Sequence, residues 1–445
     1  MNSKICELLN IEFPLVAFSH CKDVVAAVSK AGGMGVLGAV GMHPETLEQE
    51  LNWIDDHIDG KPYGVDVLIP NKFVGKEEDL KSEDWAAMIP QEYRDFRADT
   101  LKKYEVDGED LRGQTTQNSG FGNNMKEEGA QKLLEVAFSH PIKLIANALG
   151  VPPKWMLDMG KENNVAVAAL VGAKQHAIKQ VEAGIDILVV SGTEGGGHVG
   201  SVSGLVLVPE VHKAIQPYGD IPILAAGGIA TGQQMAGVMA MGAAGVWCAS
   251  VFLTTPEAET SPTVKEKMLA ASSSHTVRSR SRTGKHSRQL KSAWTDAWEA
   301  PDAPDPLPMP LQTMVGEPAL AKIDKAAENG HKGAKQLAAD AAEKAGQADI
   351  TAAEVRALHE EVDYLLGSES EPGLVRVWPC LLLALPIGLA VLMNSGEYRH
   401  DALMMSAILG LWVLRSLRTT FWMEEPDIGR TVGGLLAGIV LVDLL

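Results

Sequence analysis

The chain has 445 residues, 46% of them hydrophobic and 22% charged, a composition typical of folded globular proteins. Lys and Arg total 39 against 57 Asp and Glu, and the net charge of −18 argues against a nucleic-acid partner, which needs a basic surface. The four cysteines lie far apart without a CxxC pair. This spacing fits neither a zinc site nor a disulfide scaffold and indicates a reducing compartment.

Eight short apolar runs recur through the first 250 residues, each followed by Gly or polar residues and a helix-like stretch. They are FPLVAF (13–18), GVLGA (35–39), YGVDVLI (63–69), KLIANAL (143–149), VAVAALV (165–171), ILVVSG (187–192), PILAAGG (222–228) and GVWCAS (245–250). Such runs are typical of strands buried on both faces of a parallel sheet, and helices are predicted between them, for example over 174–183 and 232–241. Eight repeats in about 240 residues predict an α/β fold, the (β/α)8 TIM barrel. A doubly wound sheet is the alternative, but eight repeats favour closure.

The segment between the third and fourth predicted strands, residues 70–142, is too long for a single crossover. We therefore expect an inserted lid or subdomain there. The catalytic domain is predicted to span residues 1–335. A helical linker over 336–372, rich in Ala, Glu and Lys, is predicted to follow it.

Residues 373–445 are apolar and are predicted to form helices associated with a membrane. Val377 to Met393 is a run of 17 residues without a charge, at the lower limit for crossing a bilayer. The runs 402–414 and 432–445 are shorter and weaker candidate transmembrane helices. Arginines flank the first two runs, which predicts a hairpin that anchors a cytoplasmic catalytic domain to the inner face of a membrane. A buried hairpin of apolar helices is the alternative.

A glycine-rich loop follows the sixth predicted strand, where a barrel carries its reactive groups. The segment Ser191 to Gly200 has five glycines, which let the backbone approach a ligand closely, and a lone imidazole, that of His198. Histidine can take or give a proton near neutral pH, so His198 is a candidate acid or base. A flexible turn with a surface histidine is the alternative.

Two further loops, after the seventh and eighth predicted strands, complete a possible phosphate site. The first contains Gly227 and Gly228 before a predicted helix that opens at Thr231, and the second runs from Trp247 to Ser250. Backbone N–H groups of adjacent loops, aimed by helix N-termini, form the usual phosphate site of such barrels. The alternative is that these glycines serve only tight turns.

The stretches GTEGGGHVG, PILAAGGIATG and GAAGVWCAS, in this order, resemble the nitronate monooxygenase family. The stretches DVVAAVSKAGGMGVLGA and YGVDVLIP are similar to the first βαβ unit and third strand of that family, and the resemblance covers about residues 5–335. It implies FMN as cofactor and oxidation of alkyl nitronates or nitroalkanes with O2 to carbonyl compounds and nitrite, with His198 as the catalytic residue. The flavin contacts that it implies are Asp66, Ser191, Gly196, Gly227, Gly228, Trp247, Cys248, Ala249 and Ser250.

The sequence departs from the commonest family pattern at several of these positions. Asp66 stands where Asn is frequent, Ser191 where Gln is frequent, and Ala249 replaces a usual Gly. Two other functions therefore stay open: a flavin-dependent enoyl reductase with a nicotinamide donor on the same barrel, and a membrane-tethered flavin-binding protein without turnover. The run Gly33 to Gly38 matches GxGxxG, but it leads into a strand, whereas a dinucleotide site opens a helix.

The segment Thr276 to Lys291 holds six Lys and Arg residues. It could attract an anionic substrate, or it could be a solvated loop. We favour the solvated loop, because charge runs are usually hydrated.

Overall fold

The computed structural model describes residues 3–70, 73, 82–113 and 124–338. The chain divides into two units, Met1–Leu365 and Leu366–Leu445, and every described residue lies in the first. The candidate membrane runs 377–393, 402–414 and 432–445 lie outside the described residues. Among the helices of the described part, none combines the length and the apolar character needed to cross a membrane.

Eight parallel strands close into a barrel, and three short strands form a separate sheet in the described part of the chain. The first nine strands are β1 (Leu15–Ser19), β2 (Met34–Gly38), β3 (Tyr63–Val67), β4 (Leu144–Asn147), β5 (Ala166–Val171), β6 (Ile187–Ser191), β7 (Gly197–His198), β8 (Ile223–Ala226) and β9 (Gly245–Cys248). The barrel order is β1-β2-β3-β4-β5-β6-β8-β9. Val16 pairs with Met34 on one side and with Trp247 on the other, which closes the ring. The predicted TIM barrel is confirmed, and each barrel strand overlaps its predicted run.

Helices follow the barrel strands and also form a separate cluster. They are α1 (Lys4–Leu9), α2 (Lys22–Lys30), α3 (Pro44–His57), α4 (Ser82–Ala87), α5 (Gln91–Lys103), α6 (Glu127–Phe138), α7 (Lys154–Asn163), α8 (Lys174–Ala183), α9 (Gly204–Ile215), α10 (Gly232–Ala240), α11 (Pro262–Ala270), α12 (Ala293–Trp298), α13 (Leu311–Glu328) and α14 (Lys332–Ala338). The predicted helices over 174–183 and 232–241 are α8 and α10. Helix α8 ends at Gly184, whose φ of 92° lies in the left-handed region that favours glycine.

Alternate side chains of the strands point into the barrel and form its core. Buried members from this inner face are Val16, Met34, Val36, Leu144, Ala146, Ala168, Ile187, Val189, Leu224, Ala226 and Trp247. Full burial of a large apolar side chain stabilises the fold by about 1.5–3 kcal/mol. Asp66 pairs in register with Gly38 and with Ala146. Because Ala146 faces inward, Asp66 faces inward as well, between two small neighbours.

The connection between β3 and β4 contains α4, α5, a 3-10 turn (Glu109–Arg112) and α6. Helix α6 packs against α3 and β3, as the crossover helix of a barrel does. In the described part of 70–142, the regular crossover helix α6 is therefore accompanied by the added helices α4 and α5.

Helices α4 and α5 share a second apolar core with α12, α13 and α14. Its buried members include Trp85, Leu101, Leu111, Trp294, Val315 and Ile323. Arg97 of α5 is 1% exposed, and its guanidinium donates to the carbonyls of Leu111 and of Val315, the latter at 3.2 Å. Segments about 200 residues apart thus form one helical subdomain, which the sequence analysis did not anticipate.

The basic segment 276–291 is an antiparallel hairpin formed by β10 (Thr276–Ser279) and β11 (Ser287–Leu290). Strand β11 also pairs with β7, with Ser287 opposite His198. Ser279 and Ser287 are buried. The preference for a solvated loop is therefore wrong, because backbone pairing holds the hairpin against the strand that carries His198.

Candidate active site

The glycine-rich loop after β6 turns back over the barrel, and its glycines permit close contacts. A Cβ on Gly196 would overlap the hydroxyl of Ser250, and a Cβ on Gly195 would lie 3.1 Å from the hydroxyl of Ser191. Ser191 is the last residue of β6 and Ser250 follows β9. The loop is thus packed on neighbouring strand ends, so the glycines serve close approach.

His198 lies on β7 and is fixed by the hairpin opposite. Its Nε2 lies 2.7 Å from the Thr283 hydroxyl, and Val199 N–H donates to the carbonyl of His286 at 3.1 Å. His198 is exposed to solvent, with one side of its ring against the hairpin. Partial loss of hydration there, aided by the charges of Lys285 and Arg282, lowers the pKa of His198 to about 4. The imidazole is therefore neutral at pH 7 and can accept a proton.

The loop after β8 packs backbone against backbone on the loop after β6. Gly227 and Gly228 have φ values of 105° and 70°, which a residue with a side chain rarely adopts. A Cβ on Gly227 would lie 3.0 Å from the backbone nitrogen of Gly195. The N–H groups of Gly228 and Ile229 have no hydrogen-bond acceptor within the described ranges. Two unused donors thus lie just before the start of α10.

A capping box sets the start of α10. The hydroxyl of Thr231 accepts from Gln234 N–H, and the Gln234 side chain accepts from Ala230 N–H at 2.8 Å. The same side chain donates to the carbonyl of Gly228 at 2.8 Å. This network fixes the loop in front of the helix, where the dipole favours an anion.

The end of β9 offers mainly its backbone to a ligand. Trp247 points into the barrel and stacks on Phe18 with ring centroids 6.2 Å apart. Cys248 therefore points the other way, towards the helices, and burial raises the pKa of its thiol to about 12. If Cys248 contacts a cofactor, it does so through its main chain. Ala249 leads into the 3-10 turn that opens at Ser250.

Asp66 is 3% exposed and its Oδ2 has no hydrogen-bond partner among the residues described. Burial raises the pKa of this carboxyl well above its usual range, because it disfavours the charged form. A protonated carboxyl has one donor and one acceptor, much as the amide of Asn does. Asp66 can therefore play the polar role of the Asn that is frequent at this position.

These features can be tested against the flavin mononucleotide that the family resemblance implies. A phosphate needs N–H donors, and Gly228 and Ile229 supply two without acceptors within the described part of the chain. A flavin ring has a polar edge, and Asp66 places an orphaned buried oxygen inside the barrel. Gly227 and Gly196 let the backbone come close. The residues present fit such a cofactor.

The top of the barrel is covered by side chains from three separate segments. Leu68 follows β3, Met125 precedes α6 and Met309 precedes α13, and the three form one buried apolar cluster. Asn124 donates to the carbonyls of Val40 and, at 2.6 Å, of Met42. This cover restricts access of water to the strand ends near β3.

The structure brings most of the predicted residues together. Contacts between the loops after β6, β8 and β9 unite Ser191, Gly196, Gly227, Gly228 and Ser250. Asp66 lies inside the barrel on β3, and Trp247 forms part of the inner core.

Sequence reasoning missed three residues around this site. Thr283 and Lys285 reach His198 through a hairpin pairing that no local pattern reveals. His20 directly follows β1, with its Nδ1 3.1 Å from the carbonyl oxygen of Gly38 and its ring edge-on to Phe18. The rule that reactive groups follow barrel strands could have found His20, because it stands just after FPLVAF.

Comparisons with known proteins show what this chain is similar to. A family model described as nitronate monooxygenase matches residues 2–361. The chain is 52% identical over 337 residues to a Mycobacterium tuberculosis protein named as a monooxygenase, which covers 75% of this chain and 88% of that protein. It is 26% identical over 306 residues to a Staphylococcus saprophyticus protein named as a nitronate monooxygenase, covering 65% and 79% of the two chains.

Two solved structures have a similar fold. The nitroalkane oxidase of Streptomyces ansochromogenes has a TM-score of 0.60 and 23% identity, covering 81% of this chain and 98% of that one. FabK of Thermotoga maritima has a TM-score of 0.57 and 22% identity, covering 82% and 97%. At such identities the likeness supports the barrel fold and not a particular substrate.

Proposed function

The chain belongs to the nitronate monooxygenase family, and from that premise we propose that it oxidises alkyl nitronates or nitroalkanes with O2, giving carbonyl compounds and nitrite, with FMN as cofactor. Membership makes it an oxidoreductase enzyme. The observation that carries the finer proposal is a neutral His198, held by Thr283, at the end of the loop that packs on Gly227. Next to Gly227, the N–H groups of Gly228 and Ile229 have no acceptor in the described part of the chain. A proton acceptor and an oxyanion site then lie at the same end of the barrel.

FMN would be held by groups that the fold leaves without partners. The N–H groups of Gly228 and Ile229 would receive the phosphate, and Asp66 would face the polar part of the ring. When bound, FMN supplies the electron acceptor that the reaction with O2 requires. The protein would hold the substrate in place, exclude water from the site and supply a proton acceptor.

His198 serves best as a base. With its pKa lowered to about 4, the ring is not the cation that would anchor an anionic substrate at neutral pH. The base role needs a proton on Nε2, so that Nδ1 keeps its lone pair. Thr283 can hold this tautomer, because its hydroxyl can accept from Nε2 and donate to the carbonyl of Lys285 at 3.5 Å. Nδ1 has no hydrogen-bond partner among the described residues.

The test separates proton removal from the later steps. His198→Ala should slow neutral nitroalkanes by roughly 10²–10⁴-fold, because they must lose a proton from carbon. Preformed nitronates have lost it already and should be affected less. His176→Ala, at an exposed histidine of α8, is the matched control. Equal rates of wild type and His198→Ala on both substrates would exclude the base role.

A spectroscopic measurement distinguishes the flavin-dependent enoyl reductase. Under anaerobic conditions, bleaching of the flavin absorbance by a nitronate supports the proposed oxidation. Rapid bleaching by NADPH, without an effect of nitronate, would favour the reductase. Protein that is colourless and does not bind FMN at micromolar concentration would contradict both.

We also propose that residues 373–445 anchor the catalytic domain to the cytoplasmic face of a membrane. The support is the uncharged run Val377 to Met393 and the arginines around it. The full chain should pellet with membranes and resist a carbonate wash, whereas a chain that ends at Gln336 should not. Full-length protein that needs no detergent would contradict the anchor.

A further inference from the structure

The tip of the β10–β11 hairpin carries three cations, and two of them are neutralised within the fold. Arg280 pairs with Asp305 at 2.9 Å and Arg282 pairs with Glu317 at 3.1 Å. Lys285 is half-buried, and its ammonium has neither an ion pair nor a hydrogen bond to any residue in the described ranges. No contact within the described part of the chain therefore uses the charge of Lys285.

Lys285 is held close to His198 by short connections. Its backbone N–H donates to the Thr283 hydroxyl at 3.4 Å, and the same hydroxyl bonds His198 Nε2 at 2.7 Å. Two residues later, Ser287 pairs with His198 across the strands. The ammonium is near enough that its charge contributes to the low pKa of His198. The backbone of Lys285 thus has a fixed place beside the imidazole.

The surroundings of Lys285 favour an anion. Burial lowers its pKa, because the ammonium has lost part of its hydration. Among the residues that the structure describes, no acidic side chain contributes to the pKa shift of Lys285 or of His198. Glu194, in the glycine-rich loop, is engaged with the backbone N–H of Gly204 at 2.9 Å. A partly dehydrated cation without a counter-ion gains most from a charged acceptor.

We propose that Lys285 is a specificity-determining residue that binds the anionic nitro group of a nitronate beside His198. This inference rests on the function proposed above and deepens it, because it selects the nitronate anion over the neutral nitroalkane. His198, being neutral, cannot supply that charge at pH 7. The two groups divide the work: His198 removes the proton of a neutral nitroalkane, and Lys285 holds the nitronate anion, whether it is added or formed in place.

The phosphate of FMN is another oxyanion that could reach Lys285. The unused N–H groups of Gly228 and Ile229 lie after β8, in front of α10, and suit the phosphate. Lys285 lies instead beside the imidazole, where a nitroalkane that loses its proton to His198 becomes the nitronate. The nitronate is therefore the occupant that the positions favour.

The first arm of the test is steady-state kinetics on the full-length, FMN-loaded protein. Lys285→Met should raise KM for an alkyl nitronate roughly 10–100-fold, the usual effect of losing a charged hydrogen bond, with little change in kcat. KM for the parent nitroalkane should hardly change, and Lys285→Arg should recover most of the affinity for nitronate. Lys291→Met, at an exposed lysine just after the same hairpin, is the matched control and should behave as wild type.

The second arm does not depend on turnover. Nitrite is titrated into the oxidised holoprotein while the flavin absorbance is followed, and its Kd should rise in Lys285→Met by a similar factor. If wild type oxidises no nitronate, the proposed function fails, but nitrite binding still tests Lys285. Equal nitrite affinity in wild type and Lys285→Met would overturn the proposal. Loss of FMN from Lys285→Met with unchanged nitrite affinity would also overturn it, because it would assign the lysine to the phosphate.

Discussion

Replacing Asp66 by Asn should make the protein more stable, and increasingly so as the pH rises. Asp66 is buried inside the barrel, its Oδ2 has no partner among the described residues, and burial raises its pKa. Asn has the same shape and a neutral polar group that can use the same space. The variant therefore removes the ionisable proton and leaves the packing nearly unchanged.

The size of this stability difference follows from proton binding by Asp66 in the folded and unfolded states. Below about pH 3.9, the pKa of Asp in an unfolded chain, both states hold the proton and the pH has no effect. Above it, the unfolded chain releases the proton while native Asp66 keeps it, so native stability falls by about 1.4 kcal/mol per pH unit. The fall continues until the pH passes the raised native pKa. Between pH 5 and pH 7 wild type should lose stability relative to Asp66→Asn, by at most about 2.7 kcal/mol.

Urea titrations of the flavin-free protein, followed by far-UV circular dichroism at pH 5, 6 and 7, measure this difference. Asp56→Asn, at an exposed position of α3, is the control and should differ from wild type equally at each pH. A difference between Asp66→Asn and wild type that does not grow with pH would refute the reasoning. It would mean that native Asp66 is already ionised at pH 5.

Two further predictions concern the phosphate loop and the helical subdomain. Gly227→Ala should weaken FMN binding at least tenfold in a fluorescence titration. The φ of 105° at this position is strained for Ala, and the new Cβ would press on the backbone of Gly195. Gly237→Ala, whose Cβ would meet open space, should leave FMN binding unchanged. Arg97→Met should lower the free energy of unfolding by about 1–3 kcal/mol in urea, because it removes the charged hydrogen bonds to the carbonyls of Leu111 and Val315. Lys102→Met, at an exposed position of α5, should have little effect.

The barrel was predictable from the sequence because its signals are local. Runs such as ILVVSG and PILAAGG are apolar throughout, as strands covered on both faces must be, and Gly184 marks a helix end by its own backbone preference. The glycines after β6 and β8 were also visible. Their reason is contact between neighbouring loops, which exists only in the folded chain.

The contact between His198 and the β10–β11 hairpin was not predictable, because it depends on pairing between distant segments. Thr283 and His198 are 85 residues apart, and nothing near Thr283 indicates that a two-residue strand will pair with its hairpin. A run of six cations in an acidic protein looks like a hydrated surface, yet β11 is fixed against β7. The subdomain core joins α5 to α13 in the same way, through contacts that no single segment encodes.

The pairing of β7 with β11 has a consequence for synthesis on the ribosome. The barrel can close once β9 has emerged, since Trp247 then meets Val16, but β7 has no partner strand until Ser287 follows. At about 5–20 residues per second, those further 40 or so residues take roughly 2–8 s to be added. During that interval His198 stands on an unpaired stretch of chain above a closed barrel. A nascent chain stalled in this window should therefore have a folded barrel whose imidazole titrates as in a free peptide, so barrel folding and the tuning of His198 are separate events in time.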